Sequence, residues 1–141
     1  MPTRTGKAVW KGSLKEGKGE METESGVLKN EYSFGTRFQQ KKGTNPDELI
    51  AAAHAGCFSM ALSLILGQEG YTPTEINTTA KVTIEEKGGG FALTTSKLIT
   101  KAKVPNIEEN EFQKIANKAK KGCPVSKALK GLKIELDAKI I

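Results

Sequence analysis

The sequence contains few residues that bind metals or form disulfide scaffolds. Among its 141 residues there are two cysteines and one histidine. These side chains cannot complete a closed zinc site of four ligands without carboxylates, so we expect no metal centre. A chain of this length buries enough apolar surface to fold without disulfide bonds. We therefore predict a single globular domain over residues 1–141 that does not depend on a metal or on disulfides.

The sequence also lacks an apolar segment after Met1 of the kind that signal peptides have. We therefore expect a cytoplasmic protein, in a compartment where thiols stay reduced. Residues 49–68 contain no acidic or basic side chain apart from His54. Alanine, glycine and serine make this stretch too weakly apolar to favour a bilayer. It predicts a helix inside a soluble core, and no membrane association.

Arginine is scarce, since only Arg4 and Arg37 occur among the 22 basic residues. With 16 acidic residues, the formal net charge is +6. The lysines are spread along the chain and are not grouped with aromatic residues, which indicates a solvated basic surface. Nucleic-acid binding through charge alone is the alternative. We expect no nucleic-acid partner.

The first 40 residues predict a β-meander. The candidate strands are 8–10, 20–24 and 31–38, and turns that contain glycine follow the first two. Arg37 should point to one face of the third strand. The opposite face should carry the alternating residues Tyr32, Phe34, Thr36 and Phe38.

The best marked element is a helix from Pro46 to about Glu69. Asn45 is a suitable N-cap, and proline is favoured at the first helical position. Glu48, three residues after Asn45, can close a capping box. Because the helix is apolar on nearly all sides, we predict that it is central and buried.

The rest of the chain completes an α+β pattern of about six strands and two principal helices. Segments 76–86 and 91–104 alternate and predict a hairpin, 108–121 predicts a helix, 123–129 a short helical turn, and 132–141 a last strand. The helix carries one apolar stripe that indicates core packing, formed by Phe112, Ile115, Ala116 and Ala119.

Both cysteines are candidates for chemistry. Cys57 lies in the middle of the apolar helix and is either a small core residue or a reactive thiol. A buried thiolate requires a nearby cation. The candidates are His54, three residues earlier on the same face, and Arg37, whose rigid fork suits a specific role. Cys123 stands at the start of a short helix, where thiol pKa values are lowered.

Two carboxylates begin the apolar helix. Asp47 lies ten residues before Cys57, which is roughly 15 Å along a helix axis. Glu48 falls roughly on the opposite side of the helix. Neither carboxylate can reach the sulfur of its own helix, so either one would have to act through an arginine or come from a second chain.

Several of these segments resemble one known family. Residues 44–62 read TNPDELIAAAHAGCFSMAL, and residues 122–126 read GCPVS. Together with residues 10–12, 23–28 and 36–38, they resemble the osmotically inducible OsmC proteins of the OsmC/Ohr superfamily of thiol peroxidases. The resemblance covers essentially the whole chain, in the order of the family.

The resemblance implies a fold and a set of site residues. The fold would have antiparallel sheets around a long buried central helix, in an intertwined homodimer whose sites use both chains. Cys57 would be the peroxidatic cysteine, Cys123 the resolving cysteine and Arg37 the catalytic arginine. The family's glutamate is replaced by the shorter Asp47, and the adjacent Glu48 is a possible substitute.

The resemblance also implies the reduction of organic hydroperoxides to alcohols, in the response to oxidative and osmotic stress. Cys57 would pass through a sulfenic acid to a disulfide with Cys123. An external dithiol of the lipoyl type would reset the pair, with no bound cofactor. The apolar residues around Cys57 predict that bulky organic peroxides react faster than hydrogen peroxide.

Two other functions are compatible with the residues. A Cys–His hydrolase or acyl-transfer enzyme would use His54 as the base for Cys57. A non-catalytic protein would carry an apolar ligand or sense redox state, with Cys57 as a packing residue.

Overall fold

The computed structural model describes all residues, 1–141, in two compact units, Met1–Leu49 and Ile50–Ile141. Each unit has its own three-stranded sheet. The single domain expected over residues 1–141 stays a prediction.

The first unit begins with the predicted meander. Strands β1 (Gly6–Lys11), β2 (Lys18–Thr23) and β3 (Lys29–Tyr32) pair antiparallel in chain order. Gly19 in β2 lies between Trp10 and Tyr32, whose ring centroids are 5.3 Å apart. A Cβ at position 19 would lie 2.7 Å from both rings. Only glycine therefore allows the two aromatic rings to pack across this strand.

The strand predicted over 31–38 is wrong beyond Tyr32, because a short helix, α1 (Phe34–Phe38), follows β3. Ser33 caps this helix: its hydroxyl accepts from the Thr36 N–H, and the Thr36 hydroxyl accepts from the Ser33 N–H. This capping box satisfies two backbone donors that a strand would otherwise pair. Alternating aromatic residues suggested a strand, but the cap selects a helix. Arg37 therefore lies on α1 and not on a strand.

The long helix α2 (Pro46–Gln68) agrees with the prediction to within one residue. The Asn45 side chain accepts from the Glu48 N–H at 2.8 Å, as expected for an N-cap. Within the second unit, Phe58, Leu62 and Leu66 are fully buried along one face. The other face is exposed in the single chain, so the predicted burial of this central helix holds for one face.

The sheet of the second unit combines β4 (Glu75–Lys87), β5 (Gly90–Lys103) and β6 (Lys133–Ile140). β4 and β5 form the predicted antiparallel hairpin, turning at Gly88 and Gly89, which both have positive φ. β6 pairs parallel to β5, which corrects the expectation of purely antiparallel sheets. The physical reason is the helical crossover between these strands, because parallel neighbours require a long connection.

Two helices form that crossover, α3 (Glu109–Gly122) and α4 (Pro124–Ala128). The predicted apolar stripe of α3 is buried. It packs in one core with the buried face of α2 and with Leu98, Ala102 and Ala138 from the sheet. This core fixes the relative positions of α2 and the α3–α4 junction, where the two cysteines lie.

One helix, α2, is long and apolar enough to cross a membrane when judged by length and composition. The core helix of a soluble protein meets the same criterion. The expectation of no membrane association stays a prediction.

Candidate active site

The two cysteines are brought together by the core of the second unit. Cys57 lies in the middle of α2, and Cys123 lies between α3 and α4. Both are free thiols, with their Sγ atoms 2.9 Å apart. A disulfide bond is about 2.05 Å long. The pair can therefore be joined with little movement of either helix.

The two sulfurs differ in exposure. Cys123 is fully buried, whereas Cys57 is only partly buried. The sequence alone left open whether Cys57 is merely a core residue. In this chain Cys57 is the cysteine that a solute can approach, while Cys123 lies behind it.

The pKa values of the two thiols also shift in opposite directions. Burial, and then the hydrogen bond with Cys123, raises the pKa of Cys57, although the Val125 N–H opposes this shift. Burial also opposes the anion at Cys123. Hydrogen bonds from Cys57, Ser126 and Val125 outweigh it and lower the pKa of Cys123.

The proton between the sulfurs can lie on either one, and the pair titrates as a unit. Because the pKa of Cys57 is raised and that of Cys123 is lowered, the shared proton belongs on Cys57, and Cys123 carries the negative charge of the pair. Cys57 therefore requires a further cation to become the thiolate.

Local sequence explains the donors around Cys123. This residue ends α3 and also precedes α4, with Pro124 at the first helical position. Proline cannot donate, and the next N–H groups, those of Val125 and Ser126, have no partner within the first turn of α4. These N–H groups lower the pKa of the Cys123 thiol.

The predicted arginine and carboxylate are paired within the first unit. Arg37 Nε donates to Asp47 Oδ2 at 3.2 Å, and Nη2 donates to Oδ1 at 3.1 Å. Such bidentate pairs fix the plane of the guanidinium. Asp47 is buried, whereas the Arg37 side chain is one-third exposed. The side-on contact leaves the Nη1 donors directed away from Asp47.

The surroundings of α1 hold this pair in place. The Asn45 amide donates to the Thr36 carbonyl at 3.0 Å, which links α1 to the start of α2. The Arg37 guanidinium lies 5.4 Å from the centre of the Phe38 ring. The same asparagine therefore caps α2 and positions the arginine.

Glu48 takes no part in this ion pair. It is exposed, and its backbone N–H donates to Asn45. The choice that the sequence left between Asp47 and Glu48 is resolved for the contact with Arg37, which Asp47 makes alone. The shorter acid is sufficient because α1 brings the guanidinium to it.

A cavity of about 250 Å³ borders the arginine in the first unit. Its lining is mostly aromatic and comprises Trp10, Leu14, Tyr32, Ser33, Phe34, Arg37 and Phe38. The sequence showed the aromatic alternation but placed it on a strand. The cavity combines an apolar wall with one fixed cation, which suits a ligand with an apolar tail and a polar oxygen.

His54 is fully buried and bonds two serines rather than a cysteine. Its Nδ1 lies 2.7 Å from Ser96 Oγ, and its Nε2 lies 2.8 Å from Ser126 Oγ. Burial lowers the pKa of His54, so the imidazole is neutral. The sequence did not identify Ser96 or Ser126, and only the GCPVS run drew attention to the second.

The described chain contains no group of three or more His, Cys, Asp or Glu side chains that could hold a metal ion. The expectations of no metal and no bound cofactor stay predictions.

Comparison with known proteins identifies the family. Residues 39–137 match the family model described as OsmC-like protein. The chain is 54% identical to peroxiredoxin OsmC of Escherichia coli over 135 residues, covering 95% of this chain and 94% of that protein. It is 34% identical to an organic hydroperoxide resistance protein of Xanthomonas axonopodis over 90 residues, 63% of this chain and 61% of that one.

Two solved structures share the fold over nearly the whole chain. An organic hydroperoxide resistance protein from Elizabethkingia anophelis superposes with a TM-score of 0.74 at 30% identity, covering 99% of this chain and 96% of that one. The organic hydroperoxide resistance protein OhrB of Bacillus subtilis has the same fold, with a TM-score of 0.77, 24% identity and coverage of 95% and 97%. The chain therefore belongs to the OsmC-like protein family.

Proposed function

We propose that this protein is a thiol peroxidase that reduces organic hydroperoxides to alcohols. The observation that carries the proposal is the pair of free thiols 2.9 Å apart, with Cys57 accessible and Cys123 behind it. The names of its relatives, peroxiredoxin and organic hydroperoxide resistance protein, agree with this chemistry. We also propose a place in the stress response, which the name organic hydroperoxide resistance protein supports.

The reaction has three steps. The Cys57 thiolate attacks the distal peroxide oxygen, the O–O bond breaks, and the alkoxide leaves and is protonated to the alcohol. The Cys123 thiolate then attacks the sulfur of the Cys57 sulfenic acid, an S–S bond forms, and hydroxide leaves as water. An external dithiol, which we propose to be of the lipoyl type, reduces the disulfide by exchange.

Arg37 is proposed as the cation that Cys57 requires. Its fixed guanidinium would favour the thiolate and stabilise charge on the departing oxygen. The bidentate contact with buried Asp47 supports this role, because it fixes the orientation of the guanidinium. The aromatic cavity beside Arg37 supports an organic substrate, whose apolar tail it would cover.

A homodimer is proposed from the exposed face of α2. Met60 and Leu64 are 76% and 62% exposed there. A Cβ built on Gly56 or Gly67 of the same helix would meet no atom within 4 Å. Large exposed side chains beside open glycine surface indicate a contact with another molecule. We propose that a second copy of this helix covers the exposed face of α2. We also propose that the protein is cytoplasmic.

The alternative hydrolase lacks a supporting contact. A Cys–His enzyme requires the imidazole to reach the thiol, but both ring nitrogens of His54 are occupied by serine hydroxyls. The non-catalytic alternative predicts that neither thiol reacts with a hydroperoxide.

Substitution of each cysteine tests the proposed function. Cys57→Ser should abolish consumption of an alkyl hydroperoxide, because the attacking sulfur is lost. Cys123→Ser should consume one equivalent and then stop, because no disulfide can form for a dithiol to reduce. Peroxide consumption with dithiothreitol measures both. Unchanged peroxide turnover in Cys123→Ser would contradict the resolving role of Cys123, and no peroxide consumption by the unsubstituted protein would contradict the peroxidase and favour the hydrolase.

The carboxylate next to Arg37 can be tested with a matched pair of variants. Asp47→Asn should lower kcat/KM for an organic hydroperoxide by about tenfold or more, because a misplaced catalytic group loses rate steeply. Glu48→Gln removes the same charge one residue away and should change kcat/KM by less than about twofold. Equal losses in both variants would show that net charge, and not the bidentate contact, is responsible.

The aromatic cavity predicts substrate preference. An aryl hydroperoxide should react faster than hydrogen peroxide in steady-state assays. Phe34→Ala should reduce kcat/KM for the aryl hydroperoxide by about tenfold, the effect of losing one large apolar contact. Its activity with hydrogen peroxide should be unchanged. Val27→Ala, at a position 81% exposed and outside the cavity, is the control. The reverse order of substrates would refute the assignment.

The exposed face of α2 predicts the oligomeric state. The protein should sediment at twice the chain mass, and Leu64→Glu should dissociate it, because burial of an unpaired carboxylate is costly. Val27→Glu, at an even more exposed site in the first unit, should remain dimeric. Sedimentation equilibrium at micromolar concentration measures both. A monomeric unsubstituted protein would contradict the proposed dimer.

A further inference from the structure

A continuous line of hydrogen bonds leads away from the dithiol into the core of the second unit. Ser96 Oγ lies 2.7 Å from His54 Nδ1, and His54 Nε2 lies 2.8 Å from Ser126 Oγ. Ser126 lies in α4, three residues after Cys123, and its side chain lowers the pKa of the Cys123 thiol. Each of these four residues is at least nine-tenths buried. The line joins β5, α2 and α4 and ends at the sulfur behind Cys57.

The direction of this line follows from the chemistry of its members. A neutral imidazole has one N–H donor and one acceptor nitrogen. No charged side chain contributes to the environment that keeps His54 neutral, which burial alone accounts for. If the Ser126 hydroxyl donates to Cys123, it can only accept from Nε2–H of His54. Nδ1 is then the acceptor, and the Ser96 hydroxyl donates to it.

If each hydrogen bond in this line reverses its direction, the line fits the protonated state of Cys123. When Cys123 is a thiol, its S–H can donate to Ser126, which then donates to Nε2, while Nδ1–H donates to Ser96. The two tautomers of His54 therefore match the two states of Cys123. Every hydroxyl has a partner in both states, so the buried sulfur can change its charge without leaving a polar group unpaired.

We propose that His54 is a positioning residue for the resolving step, in which it holds the Ser126 hydroxyl as a hydrogen-bond donor to the Cys123 thiolate. The proposal rests on the peroxidase function above. In that step the Cys123 thiolate attacks the Cys57 sulfenic acid. The S–S bond forms, the S–O bond breaks, and the hydroxide is protonated to water.

A purely structural histidine would not require this arrangement. Ser59 is a serine bonded only to neutral groups, since its hydroxyl lies 2.8 Å from both the Ala55 carbonyl of its own helix and Thr78 Oγ1. Ser126 instead bonds the imidazole of a residue 72 positions away and lowers the pKa of a reactive thiol. Ordering the side chains of this line costs conformational entropy. A negative charge on the Cys123 sulfur during turnover gives this order a purpose.

Ionisation of Cys123 tests the proposal without any peroxide. In the Cys57→Ser background, which keeps a hydroxyl beside Cys123, the ultraviolet absorbance of the thiolate is followed against pH. Adding Ser126→Ala, or His54→Leu, should raise the midpoint by about one pH unit, since one hydrogen bond to an anion is lost or misdirected. Ser126→Thr retains a hydroxyl and should restore the original midpoint.

Resolution is tested in the full chain. After one equivalent of an organic hydroperoxide, the Cys57 sulfenic acid is trapped with a dimedone-type reagent and quantified by mass spectrometry. Ser126→Ala and His54→Leu should lengthen its lifetime about tenfold, the loss of one charge-assisted hydrogen bond. The first consumption of peroxide should stay within about twofold of the unsubstituted protein.

Ser59→Ala, a serine-to-alanine change on the same helix as His54, is the matched control and should alter neither measurement. If Ser126→Ala, the mildest variant, leaves both the thiolate midpoint and the sulfenic acid lifetime unchanged, the positioning role is refuted. If no peroxide is consumed by the unsubstituted protein, the proposed function fails, and the thiolate titration still decides whether the line of hydrogen bonds acts on Cys123.

Discussion

Two free sulfurs held 2.9 Å apart constrain the residues around them. At this distance both cannot be thiolates without strong repulsion, and a buried sulfur cannot be one without hydrogen-bond donors. The junction of α3 and α4 meets the second condition at Cys123, where the chain turns and exposes the N–H groups of Val125 and Ser126. Cys57 receives only the Val125 N–H, which does not outweigh burial, so its pKa stays raised. The core of the second unit fixes this asymmetry before any substrate arrives.

Most of the fold could be predicted from local pattern. The cap at Asn45, the glycine turn of the β4–β5 hairpin and the apolar stripe of α3 are local signals, and each gave nearly correct bounds. Two features could not be predicted in this way. One depends on competition between two local signals, and the other depends on how two strands are connected. The cap at Ser33 outweighed an alternating pattern, and the parallel position of β6 is determined by the crossover that precedes it.

The sequence identified those residues of the site whose chemistry is evident from their residue type. Two cysteines and one isolated Arg37 were identifiable from scarcity and position. The identity of the arginine's partner, Asp47 rather than Glu48, depends on where α1 places the guanidinium. The serine contacts of His54 span 42 and 72 residues of sequence, and no local pattern carries such contacts.

For a thiol peroxidase, these two thiols must be oxidised together by an organic hydroperoxide. The most direct measurement is to add one equivalent to the reduced protein, without reductant, and to determine its intact mass and its free thiols. We expect each chain to lose both thiols and the mass of two hydrogen atoms, and to yield a peptide that links Cys57 to Cys123. Retention of both thiols, or oxidation of one cysteine that never forms this bond, would contradict this expectation.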